Sequence, residues 1–148
     1  MQIEIKLLNK QGKVPKYATN GSAGVDLICP ESYIIMPGRI VAIPTGIAIS
    51  IGSHCKYAKN FGLITPRSGL GTAGLVLANT VGVIDEDYQG EVVVHAYNRS
   101  NDNIIYLYEG DRFAQMLFVP AVPAEFVLVG EFTDRTIRGE GGFGSTGV

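Results

Sequence analysis

Tryptophan is absent from this chain, and cysteine and histidine occur only twice each. Cys29 and Cys55 show no metal-ligand spacing. Two buried thiols in a reducing compartment are the ordinary reading of such a pair. His54 and His95 share no spacing with each other or with a nucleophile, so neither is assigned chemistry, and no order or elbow supports a Ser-His-Asp reading of Ser68. No stretch is apolar for long enough to cross a membrane. Neither sign of charge dominates: 12 Lys and Arg face 14 Asp and Glu, for a net charge of −2. That balance argues against a broad nucleic-acid-binding face and leaves basic residues to act singly, in a pocket. Met1 leads into the alternating segment Gln2–Leu7, not into the apolar run of a signal peptide. The expected location is the cytoplasm, or the cytoplasm of a host cell.

Glycine and proline are plentiful, at 19 and 7 in 148 residues. Between them lie short runs rich in β-branched and aromatic residues: Tyr33–Met36, Arg39–Ile43, Gly46–Ile51, Glu91–Tyr97, Ile104–Tyr108, Phe113–Val119 and Phe126–Val129. Turn signals separate them at Pro37-Gly38, Pro44, Asn101–Asn103 and Glu109–Asp111. Many short strands at close spacing predict a single all-β domain of barrel, jelly-roll or sandwich type. A helical period is missing throughout, and one short helix around Ser68–Ala73 is the best candidate. From Arg138 the composition changes, with Gly139, Gly141, Gly142, Gly144 and Gly147 close together. Such a segment buries too little apolar surface to offset its ordering entropy, so a flexible arm over residues 138–148 is expected to follow a folded domain over 1–137.

Five segments carry candidate chemistry. The arm reads formally as G-x-G-x-x-G, or as a Walker loop with Ser145 in the lysine position. It lacks the strand before and helix after that those motifs need. Successive glycine N–H groups beside Arg138 still suit an anion; a solubilising tail is the plain alternative. Thr65–Gly71 places Arg67, Ser68 and Gly69 at a possible helix start, which suits a phosphate and equally describes a capped turn with a surface arginine. Asn79–Gly90 holds three acids and Tyr88; Asp85, following Val83 and Ile84, sits where a carboxylate can deprotonate a water, or the whole is an acidic hairpin turn. In Gly110–Met116, Arg112 and Gln115 open a very apolar strand and need polar partners, a salt bridge between Asp111 and Arg112 being the structural reading. Asp26 is a lone carboxylate on the apolar strand Ser22–Leu27, placed to approach a metal ion or to bond nearby backbone.

In series, Ala23–Leu27, Pro66–Leu70, Gly82–Gly90, Gly110–Gln115 and Arg138–Gly147 resemble the trimeric dUTPase family, the deoxyuridine 5′-triphosphate nucleotidohydrolases. The likeness runs from Ser22 to Gly147. It implies a β jelly roll, a homotrimer with active sites at subunit junctions, Mg²⁺ as cofactor, and hydrolysis of dUTP to dUMP and pyrophosphate. That reaction supplies dUMP for thymidylate synthesis and keeps uracil out of DNA. By the same resemblance Asp85 activates the attacking water and the Tyr88 ring packs under the deoxyribose. Asn79 and the backbone from Val81 through Val83 to Ile84 read the uracil edge. Arg67, Ser68, Gly69 and Gln115 hold phosphates, and Asp26 holds Mg²⁺ through water. In the arm, Arg138 clamps the terminal phosphate, Phe143 covers the base, and Gly144, Ser145 and Thr146 add phosphate contacts. Arg112 supports the site. Val25, where the family often has an aromatic, and Val93 near the uracil position are small departures. A dCTP deaminase of the same fold is the rival enzyme and needs a water-activating glutamate, for which Glu86 and Glu91 are present. A regulatory binding module is the rival of another class, and a regulatory protein partner is compatible with the enzyme reading too.

Overall fold

A computed structural model describes residues 1–52 and 59–142. Its elements in chain order are β1 (Glu4–Leu7), β2 (Lys16–Tyr17), β3 (Val25–Ile28), β4 (Tyr33–Ile35), β5 (Ile40–Ser50), β6 (Lys59–Pro66), α1 (Ser68–Thr72), β7 (Leu75–Leu77), β8 (Gly82–Ile84), β9 (Glu91–Asn98), β10 (Ile105–Leu107) and β11 (Arg112–Ala121). They form a jelly roll of antiparallel sheets: β1-β5-β9-β7 in one, β2-β3-β11-β6-β8 in another, and the pair β10-β4. Alternation explains the inward faces. Strand β9 buries Val92, Val94, Ala96 and Asn98 and turns Val93 and His95 outward. These meet Ile43, Ile47 and Ile49 of β5 and Leu27, Ile64, Phe113 and Met116 of the other large sheet in one apolar core. Among the described residues no helix is long and apolar enough to cross a membrane.

Two strand expectations change. Arg39–Ile43 and Gly46–Ile51 are not separate strands: β5 runs through Pro44. Between the pairs Pro44–Val93 and Ala48–Glu91 the register shifts, a bulge in which Gly46 takes φ +71°. Glycine adopts that conformation without a steric penalty, so the chain bends instead of ending the strand. The asparagine loop before β2 closes on this bulge: Leu8 N–H donates to Gly46 C=O at 2.8 Å, and a Cβ at Gly46 would lie 2.8 Å from Gly12 Cα. The second change concerns Phe126–Val129, which belongs to no strand. Its apolar pattern suits a strand, but β11 ends at Ala121 and Phe126 and Leu128 stay 95% and 100% exposed. A strand exists only by pairing, and no described strand of the same chain pairs with this one.

The buried amide of Asn98 is held by a full set of partners. Asn98 is fully buried; its Nδ2 donates to the carbonyls of Ile35 (2.8 Å) and Asn103 (2.7 Å), and its Oδ1 accepts from Ser100 N–H (3.0 Å) and Oγ–H (2.6 Å). It thereby joins β9 to β4 and to the loop before β10. Cys29 is buried as expected, and burial pushes its thiol up to about 11, which makes it an inert packing group. Cys55 and His54 lie outside the described residues. Replacement Asn98→Ala strands the buried Ile35 carbonyl, removes the acceptor of Ser100, and is expected to cost about 3 kcal/mol in urea unfolding. A loss below about 1 kcal/mol would show that water replaces the amide freely.

Candidate active site

Strand β11 lies between β3 and β6, and its register builds the first half of the site. Gln115 stands opposite Asp26 on one side and opposite Thr65 on the other. Residues opposite one another in a sheet share a face, so Asp26, Gln115 and Thr65 form one row. Arg67 follows two residues after Thr65, at the entrance to α1. Gln115 Nε2 donates to Pro66 C=O at 3.1 Å and so fixes the residue before Arg67. Gly24 lets the chain approach closely here, since a Cβ would sit 3.2 Å from Gln115 Oε1 and 3.3 Å from Met116 C=O.

Asp26 is buried, and its charge is answered twice. Arg67 Nε lies 2.8 Å from Oδ1, and Arg112 Nη1 lies 3.4 Å from Oδ2. A register shift between Arg112 and Ala114 makes the second contact possible. The shift leaves Phe113 as an extra residue, directs it into the core, and sets Arg112 opposite Ile28, on the same face as Asp26. The expected Asp111–Arg112 bridge does not form. Asp111 Oδ2 instead accepts the Tyr108 N–H at 2.8 Å, closing the turn before β11, while Arg112 turns to the buried carboxylate. Asp26, Arg67, Ser68, Gly69 and Gln115 together line a polar cleft of about 250 Å³. Helix α1 has no side-chain cap from Arg67, and the first N–H groups of any helix lack partners within it.

The second half is the segment after β7. Thr80 takes φ +68°, and Val81 N–H reaches back to Asn79 C=O at 2.7 Å, so Asn79 starts a tight turn into β8. Val81 and Val83 are exposed there, whereas the Ile84 side chain packs against the core. Asp85 is exposed and, with Val83, Glu86 and Asp87, borders an open groove against Lys59–Phe61 of about 530 Å³. Tyr88 N–H donates to Asp85 C=O at 3.1 Å, and Tyr88 Oη donates to Glu91 C=O at 3.0 Å. Arg138 is exposed, with its guanidinium on the arm's own carbonyls, Nε to Gly141 at 2.9 Å and Nη2 to Gly142 at 3.4 Å. Phe143, Gly144, Ser145 and Thr146 lie outside the described residues.

The chain does not bring the two halves together. Ile84, the neighbour of Asp85, pairs with Gly62, and Arg67 lies five residues further along the extended chain. At about 3.3 Å per residue the separation is roughly 17 Å. One end of this surface suits polyphosphate and the other offers a carboxylate for water activation, the division of labour of a nucleotide hydrolase.

Comparisons with known proteins agree with that class. A sequence profile of the dUTPase family matches residues 10–147. The deoxyuridine 5′-triphosphate nucleotidohydrolase of Francisella philomiragia is 51% identical over 100% of both chains, and that of Shewanella loihica is 49% identical over 99% of this chain and 97% of its own. A mutant dUTPase of Staphylococcus bacteriophage 80alpha, solved with dUpNHpp, superposes with a TM-score of 0.89 at 28% identity over 99% of each chain. The chain belongs to the dUTPase family and is a hydrolase of the dUTP diphosphatase kind.

The family implies Mg²⁺, so the donors can be tested against it. Among the described residues no group of three or more His, Cys, Asp and Glu side chains is placed to hold a metal. Among the described residues Asp26 is the one acid lining the polar cleft, and each of its oxygens keeps acceptor capacity beyond one arginine contact. That set fits an ion carried by substrate phosphates and water, with Asp26 accepting from a coordinated water. Asp26, Arg67 and Gln115 were each singled out by the sequence, Thr65 was not given a role, and the pairing stayed hidden because Asp26 and Arg67 are far apart along the chain and adjacent only through β11. The unequal contacts predict unequal losses. Arg67→Ala should cost about 1–3 kcal/mol and Arg112→Ala, at 3.4 Å and half exposed, under about 1 kcal/mol, read by urea unfolding. Equal losses would remove Arg67 as the main counter-charge of Asp26.

Proposed function

We propose that this chain hydrolyses dUTP to dUMP and pyrophosphate at sites shared between subunits of a homotrimer. The observation that carries the shared site is the separation of Asp85 from Arg67 along β6, roughly 17 Å. A general base and the phosphate whose attacking water it activates must lie within hydrogen-bond reach of that one water. Asp85 of one copy therefore works beside the Arg67 cleft of another. The exposed apolar run around Phe126–Val129, left unpaired within the chain, supports assembly with further copies.

In this mechanism Arg67, Ser68, Gly69 and Gln115 grip the phosphates. Asn79 and the backbone of Val81, Val83 and Ile84 select uracil, since close backbone leaves no space for a 5-methyl group. The Tyr88 ring lies beneath the deoxyribose and excludes a 2′-hydroxyl. Asp85 takes a proton from water, the water oxygen bonds to the α-phosphorus, and the bond from that phosphorus to the bridging oxygen breaks, releasing pyrophosphate. Residues 138–148 close as a flexible arm over the folded domain 1–137, with Arg138 at the terminal phosphate, Phe143 over the base, and Gly144, Ser145 and Thr146 at the phosphates. When bound, Mg²⁺ neutralises the triphosphate charge, held in place by Asp26 through water. The product dUMP serves thymidylate synthesis, removal of dUTP keeps uracil out of DNA, and the cytoplasm is the proposed location. The deaminase alternative loses one of its glutamates, because the Glu91 carboxylate is engaged by Gly46 N–H at 2.8 Å.

Pyrophosphate release measured with dUTP, dTTP, dCTP and UTP in Mg²⁺ tests the reading. Turnover is expected with dUTP alone and no ammonia from dCTP. Asp85→Asn should bind dUTP without turning it over, and removal of residues 138–148 should leave a folded trimer with very low activity. Brisk hydrolysis by either variant would sink the role given to the part removed. Mixing tests the shared site directly. Asp85→Asn and Arg67→Ala chains, each inactive alone, should recover about a quarter of wild-type activity when refolded together in equal amounts, the fraction of junctions that pair two intact halves. No recovery would place both halves in one chain.

A further inference from the structure

Tyr88 is tied at both ends. Its N–H is bonded to Asp85 C=O and its hydroxyl to Glu91 C=O at 3.0 Å, while the residue as a whole stays 44% exposed. The ring reaches Glu91 by crossing Gly90. A Cβ at Gly90 would lie 2.5 Å from Tyr88 Oη, 2.6 Å from Cζ and 3.0 Å from Cε2, so its three nearest neighbours all belong to that one side chain. Gly90 does not have a positive φ, so here glycine serves the ring and not the backbone.

Glu91, whose carbonyl receives the hydroxyl, is itself anchored. Its Oε1 accepts Gly46 N–H at 2.8 Å inside the β5 bulge, and the next residue, Val92, accepts Thr45 Oγ–H through its carbonyl at 2.6 Å. The bulge in turn is closed by the loop in which Asn9 Oδ1 accepts the N–H groups of Gln11 (3.0 Å) and Gly12 (2.9 Å). The start of β9 is thus held by side-chain bonds on two successive residues, where a plain strand would be held by its ladder alone.

We propose that Glu91 is a positioning residue for sugar selection: its carboxylate, bonded to Gly46, fixes the carbonyl that sets the tilt of the Tyr88 ring, and Gly90 gives that ring its space. This rests on the role of Tyr88 proposed above. A ring that excludes a 2′-hydroxyl by contact must be held to a fraction of an ångström, since the discrimination is steric and falls away as the ring gains freedom. One bond from a flexible phenol to a carbonyl does not achieve that unless the carbonyl is itself immobile.

The experiment measures kcat and KM for dUTP and UTP in the full chain and in E91A, E91Q, Y88F and G90A. The ratio of the two kcat/KM values is the readout, because general loosening of the fold lowers both substrates together. Glu91→Ala, Gly90→Ala and Tyr88→Phe should each lower the dUTP preference about tenfold, whereas Glu91→Gln, which keeps an acceptor for Gly46 N–H, should stay within about twofold of the parent. The Y88F/E91A double variant should lose no more than either single, since both act through one ring. An unchanged ratio in E91A with reduced rates for both substrates, or equal loss in E91Q and E91A, overturns the inference. If E91A does not fold, an unchanged ratio in Y88F or G90A overturns it instead. A parent chain that fails to hydrolyse dUTP would overturn the proposed function, a result separate from all of these.

Discussion

A buried carboxylate has to be answered by charge, and much of the polar cleft follows from that requirement at Asp26. Placing a charge away from water is costly unless it is paired and hydrogen-bonded. Arg67 answers it at 2.8 Å, and that contact also draws a guanidinium, together with the start of α1, to the rim of the cleft. Arg112 answers it at 3.4 Å, and does so only because Phe113 is pushed out of register into the core. One charge therefore links the strand β3, the bulged start of β11 and the turn that ends β6.

The second organising feature is another irregularity, in β5. Gly46 lets the strand bend, the loop from Leu8 to Gly12 closes on it, and Glu91 takes hold of it from β9. The β5 bulge bonds Glu91, whose carbonyl accepts the Tyr88 hydroxyl, and the β11 bulge brings Arg112 to Asp26. Regular ladders would hold the strands as well, but they aim side chains only at fixed, alternating angles. A bulge re-aims one side chain while leaving the rest of the sheet intact.

Much of this was legible beforehand. Short β-rich runs between turn residues pointed to an all-β domain, and α1 lies within the one segment expected to be helical. Where reading failed, the cause was tertiary. Pro44 has the look of a strand break, yet a glycine two residues on lets the strand bend and continue. Phe126–Val129 has the composition of a strand and no strand to pair with in its own chain. Asp111 and Arg112 are neighbours in sequence, but the buried Asp26 is a stronger claim on the arginine than an adjacent half-buried acid that already accepts the Tyr108 N–H.

By itself the sequence determined the residue types and their order: an acid on an apolar strand, an arginine at a helix start, an acid–tyrosine turn, a glycine-rich end. Those are local properties, set by side-chain chemistry and by glycine and proline, and they suffice to name the family. Only the tertiary structure decided which of them meet. Strand register set Asp26, Gln115 and Thr65 in one row, and the run of β6 placed Asp85 at the far end from Arg67. Register is a long-range choice among pairings that differ by single residues, settled by burial of the whole face at once. No local stretch carries that information.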